Sequence, residues 1–149
     1  MPDYLLAKFL HILIAILALG TSAGLGVVLE LYGDHPAHGG YVLRAVGRIG
    51  ALFVLPGYAL VLATGLWMAH HAWPMTTPWI EAALALWVAG LVALAASLAV
   101  VRRQARAFES EGPASARYRR IAMLGRALGA ATGLFVVAIL YLMVFKSGG

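Results

Sequence analysis

The run at residues 4–31, YLLAKFLHILIAILALGTSAGLGVVLEL, constrains the chain more than any other stretch. Its only strongly polar members are Lys8 and His11 near one end and Glu30 at the other. Crossing the hydrocarbon of a bilayer takes about 20 apolar residues. No water is present there to satisfy free backbone groups, so such a run must be helical. Three further runs follow at 42–71, 79–101 and 121–145. The sequence therefore predicts an all-α integral membrane four-helix bundle, one domain over residues 1–149. A composition of 62% hydrophobic and 11% charged residues leaves no stretch for a second, soluble domain. A cleaved signal peptide is the competing reading of the first run, with Ser22-Ala23 as a loose cleavage site. Asp3 in place of a basic cluster, and apolar residues continuing to Leu29, favour a retained span.

Punctuation between the runs follows backbone chemistry. Gly33-Asp34-His35-Pro36 ends the first helix. Pro56, in the middle of the second, deletes the bond to Leu52 and is expected to kink it. Thr77 is the expected N-cap of the third helix, with Pro78 as its first residue and Glu81 near the positive end of its dipole. The stretch 102–120, RRQARAFESEGPASARYRR, is expected to be a basic loop. Four crossings put both termini on one side. Arg44, Arg48 and the seven arginines from Arg102 to Arg126 fall on the other, leaving Lys8 and Lys146 opposite. The positive-inside rule then makes the first and third loops cytoplasmic and the termini external. A multi-pass protein of a bacterial inner membrane follows, with Arg102 to Arg120 against anionic lipid. The membrane accounts for the net charge of +5, so no nucleic-acid partner is expected.

Small residues mark how helices meet in lipid, where close backbone approach replaces the hydrophobic drive. Gly20 and Gly24 share a face in the first run, as do Gly125, Gly129 and Gly133 in the fourth. In the second, Gly50, Gly57, Thr64 and His71 recur every seven residues, and the third carries Ala82, Ala85, Ala89, Ala93 and Ala96. These stripes fit a compact bundle, or docking on other membrane subunits or a second copy.

The chain has no cysteine, which removes disulfides, thiolate-held clusters and thiol catalysis. A redox cofactor would need His or Met. His11 lies about 9 Å inside the apolar layer at roughly 1.5 Å per residue, and an ionisable group at that depth is a functional-site candidate. His70 and His71 close the second run on the same side. His11 with His71 or His70 is therefore a candidate axial pair for the iron of haem b. The competing reading of His11 is a core imidazole bonded to a backbone carbonyl or hydroxyl on a neighbouring helix; His70 and His71 are otherwise interfacial residues in water. Met68, His70, His71 and Met75 form a second constellation suited to Cu(I). Trp67, Trp73, Trp79 and Tyr4 read as the external aromatic belt. Nothing points to an independent enzyme: no carboxylate lies mid-membrane, no Ser-His-Asp set converges, and no phosphate-cradling loop follows a strand. Nor do paired broken helices suggest a transporter.

YLLAKFLHILIA at the start, TGLWM followed by MTTPWIEAALAL, and YLMVFK at the end together resemble a bacterial integral-membrane family, domain of unknown function 2269, over essentially the whole chain. KFLHI also resembles the first helix of the copper-resistance-D-like group, which includes the J-type protoporphyrinogen oxidase. That resemblance implies haem b at His11. The intramembrane Arg/Lys set of the oxidase has no counterpart here, so its reaction is not implied. The functional expectation is a haem-b protein or subunit in electron transfer, with the cofactor near the external face. The alternatives are a cofactor-free accessory subunit of a respiratory or photosynthetic complex, and copper handling.

Overall fold

A computed structural model describes residues 2–145, which leaves Lys146 outside the described residues. Five helices make four spans. They are α1 (Pro2–Tyr32), then α2 (Gly39–Ile49) running through a π-turn (Gly50–Val54) into α3 (Leu55–Ala72), then α4 (Pro78–Glu111) and α5 (Ala116–Phe145). Each span is long and apolar enough to cross a membrane. There is no strand among the described residues.

Two boundaries differ from the sequence reading. The stretch 102–120 is a helical hairpin rather than a loop: α4 continues through the arginines to Glu111 and α5 begins at Ala116. A drop in hydropathy marks where a helix leaves the apolar layer, not where it ends. Val101, Ala105 and Phe108 keep the helical spacing of a packing face across that drop. The real stop is Gly112, whose φ of 79° favours glycine, followed by Pro113. Ser115 then opens α5, its hydroxyl oxygen accepting the Tyr118 backbone N–H at 3.1 Å. At the start of α4, Thr77 occupies the N-cap position with Pro78 next, but its hydroxyl donates to the Pro74 carbonyl instead of capping.

Pro56 acts through the π-turn that precedes it. The Leu55 N–H reaches back five residues to the Gly50 carbonyl, widening the turn ahead of the missing proline donor. The wider turn also shifts the phase of the helix. Gly50 faces α4, where an added Cβ would collide with the Leu98 side chain, while Gly57 faces α1, where it would lie 2.6 Å from the Ala18 Cβ. The seven-residue line read from the sequence is thus divided between two neighbours. Gly20, Gly24, Gly129 and Gly133 have open space beside them and do not pack the bundle from within.

Two clusters hold the spans together. At mid-depth, Ala18, Val54, Tyr58, Val61, Trp87, Leu94 and Ile139 join all four. At the arginine-rich end Leu43, Val46, Val101, Ala105, Ala107 and Tyr118 pack α2, α4 and α5. A buried relay runs through this second cluster. Gln104 Nε2 donates to the Tyr118 hydroxyl at 3.0 Å, and that hydroxyl donates to the Gly33 carbonyl at 2.6 Å. α1 lies on α3, α4 lies along α5, and α4 packs on α2 much more than on α3. The two pairs therefore meet only lightly at the other end, where a cavity separates them.

Candidate functional site

That cavity holds about 350 Å³ and is walled by all four spans. Its size is at the lower end for small-molecule sites. α1 supplies Tyr4, Lys8 and His11, one or two turns apart on a single face, and α3 supplies Gly65 and Met68. Trp79 and Trp87 of α4 and Met143 of α5 close it.

His11 is half-buried on this wall, and its position is over-determined from the α3 side. Gly65 leaves room for the ring: a Cβ there would come within 3.1 Å of the imidazole Cε1. Thr64 lies 2.8 Å from the ring through Oγ1, while the same hydroxyl reaches the carbonyls of Leu60 at 2.8 Å and Val61 at 3.1 Å. A hydroxyl has one proton. With that proton donated back to the helix carbonyl, Oγ1 accepts from His11 Nδ1–H. In that arrangement Nε2 carries no proton and keeps its lone pair. This is how histidines that ligate metals are usually prepared, the far nitrogen donating to a fixed acceptor.

The structure does not bring His70 or His71 to this wall. Both are exposed. His71 donates from Nδ1 to the carbonyl of Trp67 one turn back, at 2.8 Å, and its ring lies over that indole with centroids 4.1 Å apart. His70 stands edge-on to His71 at 5.7 Å. The residue of α3 level with His11 is Thr64, seven positions before His71, which is roughly 10 Å along a helix. The imidazole pair expected from the sequence is therefore not assembled. The copper set is divided in the same way: Met68 lines the cavity, while His70, His71 and Met75 are on the outside. No group of three His, Asp or Glu able to hold an ion occurs among the described residues.

Trp79 also departs from expectation. It is buried rather than part of an interfacial belt, and Trp67 is 40% exposed. The indole nitrogens of Trp79 and Trp87 are buried with no hydrogen-bond partner among the described residues. Both tryptophans line the cavity, and a buried donor left without a partner is uncommon.

The contact with Thr64 is the one that the competing reading of His11 expected, a hydroxyl on a neighbouring helix, although the sequence reading did not name Thr64. A depth count could have found it. His11 is nine residues in from Pro2 and Thr64 eight in from Ala72, on antiparallel helices.

Over residues 5–147 the chain matches the family described as predicted integral membrane protein (DUF2269), and it belongs to that family. No curated protein matches it, nor does any solved structure. The likeness of KFLHI to the copper-resistance-D-like group gains no support from these comparisons.

Proposed function

We propose that this member of the family of predicted integral membrane proteins holds haem b, at the His11 end of the bundle, and acts in electron transfer. The observation that carries the reading is His11 at the wall of an apolar cavity with its Nδ1 2.8 Å from the Thr64 hydroxyl, which leaves Nε2 as the ring nitrogen available to a ligand. A bound haem supplies one-electron exchange at its iron. The chain's own part is to orient His11, exclude water with apolar walls, and offer charge at the mouth. Lys8, one turn nearer the helix start than His11, would offer its charge to a propionate, and the thioethers of Met68 and Met143, which line the same cavity, would be the further donors available in place of His70 or His71. By the positive-inside rule this end faces outward across a bacterial inner membrane, and the arginine-rich end meets anionic lipid.

The test is an absorbance spectrum of the purified protein. A Soret band that disappears in His11→Ala and survives in a His70→Ala/His71→Ala double variant is the expected result. Protein that neither carries nor takes up haem refutes the reading.

A second reading, a cofactor-free subunit of a larger membrane complex, is favoured by Gly20, Gly24, Gly129 and Gly133 having open space beside them. It expects co-purification of further subunits in mild detergent. A lone monomer counts against it.

A further inference from the structure

A second pocket, of about 460 Å³, lies at the opposite end of the molecule between α2 and α4. Four of the chain's arginines line it: Arg44 and Arg48 from α2, Arg102 and Arg106 from α4. Each pair is four residues apart, about one helical turn, which puts both members on one face of their helix with Cβ atoms about 6 Å apart. Glu109 joins Arg44 across the mouth. Arg48, Arg102 and Arg106 have no ion-pair partner among the described residues. Four guanidinium charges against one carboxylate leave an excess of three positive charges in one concavity.

The rest of the lining says what kind of anion fits. Gly47 is buried beside Val101, where a Cβ would sit at ordinary contact distance, and forms an apolar floor with Leu43 and Ala105. Toward the middle of the span the pocket runs out over Ala51 and Leu52 of the π-turn, and Leu52 is 79% exposed. Charge at one end and an exposed apolar path at the other match an amphiphile standing upright in the bilayer: phosphate among the arginines, acyl chains along the π-turn. Basic pockets between membrane helices at the cytoplasmic surface take anionic head groups in this way.

We infer that Arg44, Arg48, Arg102 and Arg106 form a discrete site for one anionic phospholipid, with room in charge for two phosphate groups. This is narrower than a general attraction of residues 102–120 to the membrane surface. Arg117 pairs with Glu111 at 2.9 Å, and Arg119 and Arg120 lie outside the pocket. The site is independent of any cofactor at His11.

The test uses the full chain in neutral detergent, with lipid adducts counted by native mass spectrometry during titration. The probes are diphosphatidylglycerol, phosphatidylglycerol, phosphatidylcholine and, as a soluble anion, pyrophosphate. The expected result is a single adduct, tightest for diphosphatidylglycerol and weakest for phosphatidylcholine. Arg48→Gln/Arg102→Gln should weaken it about 25-fold, at about fivefold for each basic residue near the surface. Arg119→Gln/Arg120→Gln, the same charge change outside the pocket, should weaken it less than twofold. These four arginines are exposed and make no ion pair among the described residues, so both variants should keep their helicity by circular dichroism. Equal weakening by the two variants, the absence of a single-lipid adduct, or pyrophosphate binding as tightly as lipid overturns the inference.

Discussion

Thr64→Val tests the reasoning about His11 without touching the imidazole. Valine has nearly the same shape as threonine, so the change removes a hydroxyl and leaves the packing. The Leu60 and Val61 carbonyls keep their helical donors; what is lost is the acceptor 2.8 Å from His11 Nδ1. Interhelical hydrogen bonds inside membranes are worth about 0.6 kcal/mol on average and about 1.7 at most. Stability should fall by an amount in that range, read from unfolding in mixed micelles. The same energy holds the tautomer, so the preference for Nδ1–H should drop by about 3- to 18-fold at an RT of about 0.59 kcal/mol. Nitrogen-15 shifts of labelled histidine report the two ring nitrogens directly, with His11→Ala supplying the assignment. Thr64→Ser, which restores the hydroxyl, should restore both readings. Finding Nε2 protonated in the parent protein, or an unchanged tautomer in Thr64→Val, refutes the argument. If haem is bound, loss of this partner should also weaken its retention, by about 10- to 100-fold for supporting contacts of this kind.

Other expectations follow from contacts elsewhere in the bundle. Gly57→Val should destabilise by about 1–3 kcal/mol through overpacking, because its Cβ would lie 2.6 Å from that of Ala18; Ala18→Gly in the same chain should recover part of the loss in thermal unfolding. Tyr118→Phe leaves the buried Gln104 amide and the Gly33 carbonyl without their shared partner, at about 1–3 kcal/mol for a buried polar group left unsatisfied. Denaturant titration of the detergent-solubilised protein measures it. By contrast, Glu30→Gln should shift stability by less than about 1 kcal/mol, the range of exposed ion pairs, although Glu30 and Arg126 are 2.8 Å apart, since both side chains are more than half exposed.

The length and spacing of the apolar runs were enough, before any coordinates, to give four spans, helical throughout and antiparallel in turn. That follows because hydrocarbon permits so few backbone solutions. His11 stood out for the same reason, an ionisable group where ionisable groups are costly. The ends of α4 and α5 were not legible from hydropathy, because the membrane boundary and the helix boundary are different events. The signals that do mark them, Gly112 and Ser115, are local backbone and capping chemistry. Tertiary structure alone decided who meets whom. Periodicity put Gly50, Gly57, Thr64 and His71 on one line, but the π-turn ahead of Pro56 re-phases the helix, so that Gly50 meets α4 and Gly57 and Thr64 meet α1. His71 turns back to its own helix. Sequence names the groups that are expensive to place in lipid; the partner each one finds depends on helix phase and depth, and a single widened turn changes both.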